Sequence, residues 1–269
     1  MLAKRLITAI LLLSLTFLLV TINNLLVLKS FIFLIHLIVL WEWLGLLKKS
    51  FFYKSLPLSI FFLCSLIASE ENNFELFETV VINASVLFWI ILVPIILFRR
   101  KSFYGVLALY FAVVMTLASF YASLWALEKG LLFILSILLV VWIADTFAFI
   151  SGRFFGRQKL APHISPKKTV EGVYGALIAN LFLSFFFIEF EFGWFNEVRQ
   201  TTNILSVFIL VMLATFISII GDLFQSLLKR EAKVKDSGKL LPGHGGFYDR
   251  FDAVIAVCPF LVFSVKLIQ

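Results

Sequence analysis

The chain has 269 residues, of which 62% are hydrophobic and 14% charged, with a formal net charge of +7. Soluble domains carry roughly 45–50% apolar and about 25% charged residues, so a water-soluble globule could not hide this much apolar surface, and the solvent for most of the chain is lipid. Its two cysteines, Cys64 and Cys258, both sit inside apolar runs, which excludes a disulfide framework and any CxxC motif.

Apolar runs of about 17–25 residues, separated by short polar stretches, predict an all-α, polytopic membrane protein of about nine transmembrane helices. They fall near 6–22, 25–47, 52–69, 77–98, 103–127, 131–151, 170–190, 203–228 and 252–268. The first run has a basic start, but it is long and no small-x-small cleavage site follows, so it reads as a span rather than a signal peptide. The second carries Glu42 in "WEW", an interfacial residue without an assigned role, and the third contains Pro57, which predicts a kink. Residues 1–130, about five spans with almost no intramembrane charge, read as an N-terminal membrane scaffold. Residues 131–269, about four spans with two basic loops, read as the catalytic membrane region.

Charge sets the expected orientation. With a cytoplasmic N-terminus, all but four of the 23 basic residues lie inside, leaving Lys29, Lys129, Arg199 and Lys266 outside with the acidic loop "SEENNFELFE". The net charge is then mostly topology and needs no nucleic-acid partner. The expected location is an integral, multi-pass position in the lipid bilayer, the inner cell membrane for a bacterial source.

Four aspartates lie at or inside span ends: Asp145 in "WIADTFAFISGR", Asp222 in "SIIGDLFQSLLKR", and Asp249 and Asp252 in "FYDRFDAV". An unpaired carboxylate at membrane depth costs a few kcal/mol. Asp145 and Asp222 each precede an arginine, Arg153 and Arg230, by about two turns, roughly 10 Å below the helix end. Each could simply pair with a nearby cation. Four at matched depth point instead to a polar cavity, open to the cytoplasm, holding one or two divalent cations; magnesium takes carboxylates, water and a substrate phosphate. Asp222, Ser226 and Lys229 follow at i, i+4 and i+7, placing a metal ligand, a hydroxyl and a cation along one stripe.

Two loops suit phosphate. In "GRFFGRQKLAPHISPKKTVEG", Ser165 before Pro166 predicts a helix start, with Lys167 and Lys168 in its first turn beside exposed amides. Snorkelling of both lysines to anionic headgroups is the other reading. In "KDSGKLLPGHGGFYDRFD", the glycine-rich "PGHGG" offers amides with little side-chain bulk, ringed by Lys229, Arg230, Lys235 and Arg250. His244 would donate to a phosphate or serve within the turn. Cations, carboxylates and a glycine cradle beside a membrane indicate phosphoryl or nucleotidyl transfer to a lipid.

Residues 226–252, "SLLKREAKVKDSGKLLPGHGGFYDRFD", resemble the signature of phosphatidate cytidylyltransferases, also called CDP-diacylglycerol synthases. The pattern matches at Ser226, Lys229, Arg230, Lys235, Asp236, Pro242, His244, Gly245, Gly246, Asp249, Arg250 and Asp252. "SPKKTVEG" and "ADTFAFISGRFFG" are similar to the same family, so the resemblance covers about residues 140–252. It implies that CTP and phosphatidic acid give CDP-diacylglycerol and pyrophosphate with magnesium, and leaves room for a second cation. A phosphomonoester with a second pKa near 6 is largely ionised at neutral pH; alignment and charge screening then matter more than a strong base. Asp222 and Asp249 are the first metal candidates, with Asp145 and Asp252 next. Lys167, Lys168, Lys229 and Arg230 would hold phosphate oxygens, and His244, Gly245 and Gly246 the CTP phosphates or the leaving pyrophosphate.

An anion transporter is the rival from another class, although no polar path crosses the outer half of the spans and no internal repeat is visible. A CDP-alcohol phosphotransferase would need an Asp-Gly-x-x-Ala-Arg motif, absent here. A non-enzymatic lipid-binding scaffold leaves the phosphate cradle unexplained. The sequence leaves a homodimer open.

Overall fold

The computed structural model describes residues 21, 24–47, 51–67, 74–103, 105–243 and 245–269. Its helices are α1 (Leu25–Leu46), α2 (Phe51–Ile67), α3 (Phe74–Leu87), which passes through a π-turn at Phe88–Leu92 into α4 (Val93–Arg99), then α5 (Gly105–Glu128) and α6 (Leu131–Phe154). A hairpin of β1 (Lys159–Ala161) and β2 (Ser165–Thr169) follows, then α7 (Val170–Glu189), α8 (Gly193–Thr201), α9 (Ile204–Glu231) and α10 (Tyr248–Ile268). Among the described residues, seven segments are long and apolar enough to cross a membrane: α1, the run Phe77–Arg99, α5, α6, α7, α9 and α10. They coincide with seven of the predicted spans, and the chain is an all-α, polytopic membrane protein. The predicted third span corresponds to a shorter apolar helix, Lys54–Leu66. The first, near 6–22, lies outside the described residues apart from Thr21.

Local chemistry fixes where these helices begin. Asn24 Oδ1 accepts from the amides of Leu26 and Val27 at 3.0 and 3.3 Å, and Asn203 Oδ1 accepts from Ser206 N at 2.9 Å; both satisfy amides that a helix start leaves open. The π-turn ends at Leu92, where the Val93 amide donates to Phe88 O, and Pro94, which has no N–H to give, follows in the first turn of α4.

Helix α10 lies innermost and packs against α9, α5, α3 and α6. Helices α6 and α7 form the most extensive pair. Small residues let them approach closely, since a Cβ on Gly175 would collide with Ser151 and one on Gly172 with the Ala148 carbonyl. Asn180 Nδ2 donates to Thr215 Oγ1 at 2.8 Å and to Val140 O at 3.1 Å, tying α7 to α9 and α6. Phe98, Val106, Phe190 and Leu26 stand outward, as residues facing lipid do. Residues 193–201, read from sequence as part of a connection, form the amphipathic α8, which buries Trp194, Phe195 and Val198.

The two ends of the bundle differ. At one, Lys29 pairs with Glu128 at 2.7 Å, Lys129 with Glu197 at 2.8 Å and Lys266 with Glu78 at 2.6 Å. Arg199 donates to Ile188 O there at 3.2 Å. These are the four basic residues that the charge pattern sets apart. The hairpin and the long 232–247 connection occupy the other end.

Candidate active site

The aspartate-bearing face of α9 is oriented by packing on its opposite side. Phe224 is met edge-on by Trp43, Phe88 and Trp89, with ring centroids 5.8, 5.6 and 5.5 Å away. Asp222, two residues back along the helix, then points away from that aromatic seat. Its Oδ1 accepts from Ser226 Oγ at 3.3 Å, and its Oδ2 lies 2.5 Å from Lys168 Nζ. Asp145 from α6 and Asp252 from α10 complete a group of three carboxylates close enough to repel one another; Lys168 offsets both, helped by Arg250 at Asp145 and by Lys229 at Asp252.

Asp249 faces another way, although it stands only three residues from Asp252. Its Oδ1 accepts from Lys229 Nζ at 2.9 Å and Gln225 Nε2 at 3.0 Å; its Oδ2 accepts from the amides of Ser237 at 2.8 Å and Gly246 at 2.9 Å. The stripe of Asp222, Ser226 and Lys229 therefore serves two centres, its lower part the three-carboxylate group and its upper end Asp249. Gln225 joins this set without having been singled out in the sequence.

The helix start expected at Ser165 is not there. Ser165–Thr169 is a strand, β2, paired antiparallel with β1, and α7 begins only after Thr169, whose Oγ1 accepts from Gly172 N at 3.1 Å. The residue before a proline favours extended backbone, which suits Ser165 in a strand, and Thr169 with Glu171 in the first turn provides the actual cap. Lys167 and Lys168 consequently project from a strand rather than from a helix N-terminus: Lys168 reaches Asp222 and Lys167 is exposed. Arg230 Nε donates to Ile164 O at 3.2 Å and so anchors the hairpin to the end of α9.

The glycine-rich turn is closed by Leu241 N donating to Gly245 O at 2.9 Å. Gly243 and Gly245 have φ of 83° and 86°, a left-handed backbone that side chains other than glycine resist. The Gly246 amide, expected to face phosphate, is taken by Asp249. Lys235 and Asp236 are exposed, and a Cβ on Gly245 would approach Asp236 to 3.2 Å. His244 lies outside the described residues.

Glu42, without a role in the sequence reading, is buried here. Its Oε2 accepts from Ser237 Oγ at 2.7 Å and from Tyr248 N at 3.0 Å. A carboxylate near the end of a span was the available signal, since such groups are functional by default.

A cavity of about 530 Å³ runs from this site along the bundle. Asp145, Thr146, Asp249 and Arg250 line one part of it; Leu28, Leu127, Leu131 and Ile134 line another. Among the described residues, no three His, Cys, Asp or Glu side chains form a ready-made metal cage. The donor set still fits magnesium, which binds through one or two carboxylates together with substrate phosphates. Lysine ammonium groups already place positive charge against Asp222 and Asp249. Asp249 would have to exchange Lys229 or Gln225 to ligate a cation.

The family model described as the cytidylyltransferase family matches residues 3–268. The phosphatidate cytidylyltransferase of Haemophilus influenzae is 47% identical over 131 residues, covering 49% of this chain and 44% of that protein. Its counterpart from Staphylococcus haemolyticus is 43% identical over 148 residues, 53% of this chain and 51% of that protein. The one from Staphylococcus saprophyticus is 44% identical over 146 residues, with the same shares. Each match thus spans about half the length of the relative. With a family match running almost from end to end, and the carboxylates and lysines of its signature gathered at one end of the bundle, the chain belongs to the cytidylyltransferase family.

Proposed function

We propose that the chain is a CTP:phosphatidate cytidylyltransferase, a nucleotidyltransferase of phospholipid biosynthesis. One observation carries the reading: carboxylates and lysine ammonium groups alternate at the end of the bundle where a largely apolar cavity begins. That arrangement suits a substrate with an anionic head and a hydrocarbon body meeting a polyanionic nucleotide. The names of the relatives support the same reaction.

A phosphatidate oxygen forms the new bond to the α-phosphorus of CTP, and the bond from that phosphorus to the oxygen leading to the β-phosphate breaks. CDP-diacylglycerol and pyrophosphate result. The attacking phosphate is already ionised, so the protein's work is alignment and charge compensation. Magnesium, held by Asp222 with Asp145 or Asp252, would neutralise charge on the phosphates, and Asp249 at the neighbouring centre would hold a second cation once Lys229 or Gln225 gives way. Lys168 and Lys229, each held by a carboxylate in the substrate-free site, turn to phosphate oxygens when substrates arrive. Arg250 beside Asp145 faces the lipid phosphate, and one acyl chain follows the apolar cavity. The site opens to the cytoplasm, with the N-terminus on that side, in the inner membrane of a bacterial cell.

The test is pyrophosphate release by the purified chain in detergent with phosphatidic acid, magnesium and each of the four ribonucleoside triphosphates. Release requiring both CTP and phosphatidic acid is expected. Release independent of the lipid, or equal with all four nucleotides, would overturn the reading.

A further inference from the structure

We infer that Glu42 is a positioning residue of this site: a carboxylate from α1 that caps α10 from outside and sets where Asp249, Arg250 and Asp252 stand. The role in turnover rests on the reaction proposed above; the structural coupling does not.

A helix start leaves amides without intrahelical partners. At α10 the N-cap residue is Phe247, which has no side chain able to accept. The Tyr248 amide donates instead to Glu42 Oε2, from a residue 206 positions away. A carboxylate at this place also complements the positive end of the helix dipole. The same oxygen takes the Ser237 hydroxyl, while the Ser237 amide goes to Asp249 Oδ2. Two carboxylates, one from α1 and one from α10, thereby close the loop from Ser237 to Tyr248. Trp43, the next residue of α1, stacks on the Tyr248 ring at 5.0 Å and 15°. The helix carrying three signature residues is thus seated on the first half of the chain.

The adjacent glycines support this. A Cβ on Gly238 would meet Glu42 atoms first, and one on Gly246 would meet Glu42 and Ser237 Oγ. Neither glycine has a positive φ, so the backbone at both positions would accept alanine. The smallness of Gly238 is required by the Glu42 carboxylate, and that of Gly246 by Glu42 together with the Ser237 hydroxyl that Glu42 holds. Glu42 is only 4% exposed, so its position is fixed by these contacts.

The experiment is a double-mutant cycle with Glu42→Ala and Gly238→Ala in the full chain, read both as turnover per folded protein and as thermal unfolding. Gly238→Ala alone is expected to lower kcat roughly tenfold and the unfolding midpoint by about 3 °C. In the Glu42→Ala background the same change costs less than about twofold in kcat and leaves the midpoint unchanged, because its methyl group fills vacated space. Glu42→Gln keeps a carbonyl acceptor for Ser237 and Tyr248 and is expected to retain kcat within about threefold of the parent, whereas Glu42→Leu loses about tenfold or more. KM for CTP stays within about twofold throughout, because Glu42 touches the helix and not the substrate.

Equal effects of Gly238→Ala in both backgrounds would overturn the inference, as would full turnover in Glu42→Leu. A parent protein inactive with CTP and phosphatidic acid would sink the proposed reaction instead, and the coupling in unfolding midpoints would still decide the placement of Glu42.

Discussion

Lys229 of α9 and Asp249 of α10 meet at 2.9 Å, joined across a glycine-rich connection of the chain. The carboxylate also accepts from Gln225 and from two backbone amides, whereas Asp249 is the one hydrogen-bond partner described for the lysine ammonium. The two halves of the pair should therefore respond unequally. Asp249→Asn takes the directly paired charge from a poorly exposed ammonium, leaving it only the more distant Asp252, and weakens the turn; it is expected to cost on the order of 3 kcal/mol of stability. Turnover should fall by about 100-fold or more. Lys229→Met leaves Asp249 with three N–H donors and should destabilise far less while still impairing turnover. Thermal unfolding beside initial rates checks this, and equal destabilisation by the two changes would contradict it.

Lys168 and a cation compete for the same Asp222 oxygen in the proposed site. Lys168→Met should therefore lower the magnesium concentration that gives half-maximal rate, even as kcat drops with the loss of a phosphate-binding charge. Asp222→Asn should raise that concentration, and its turnover should stay at least about 100-fold below the parent at saturating magnesium. Chelation of magnesium should abolish the parent's activity. The magnesium dependence of initial rates measures all of this. Near-parental turnover in Asp222→Asn would remove Asp222 from the metal site.

The membrane spans were legible because lipid forces each helix to satisfy its own backbone, which leaves long apolar runs in the sequence. The signature residues were legible as residue types at fixed spacing. Their pairing was not, because Lys168 reaches Asp222 and Glu42 reaches Ser237 through contacts made only when distant helices pack. Ser165–Pro166 misled because serine followed by proline suits a helix start and a strand equally well. Thr169 with Glu171 was the better signal, and the structure uses it.

The proposed orientation can be read directly with single cysteines placed in a chain whose Cys64 and Cys258 are replaced. Gln200 and Lys239 are both exposed, in the short α8 and in the long 232–247 connection. With a cytoplasmic active site, Gln200→Cys should react with an impermeant maleimide on intact cells, and Lys239→Cys only after lysis. The reverse pattern would invert the topology and put the carboxylates on the wrong side for cytoplasmic CTP.

The cavity makes a prediction about lipid choice. From Asp145 to Leu131 the cavity wall follows fourteen residues of α6, about 21 Å at 1.5 Å per residue. An acyl chain whose phosphate sits near Asp145 and Arg250 would follow this wall toward the leucines Leu28, Leu127 and Leu131. Leu131→Trp fills that end without touching the carboxylates. Excluding two methylene groups forfeits about 1.6 kcal/mol, so kcat/KM for a dioleoyl phosphatidate should fall roughly tenfold, while that for a dioctanoyl phosphatidate stays within about twofold of the parent. The ratio of the two is the decisive quantity, because a general loss of folding or of catalytic geometry lowers both alike. An unchanged ratio would mean that the chain of the lipid lies elsewhere and that something other than substrate occupies the cavity.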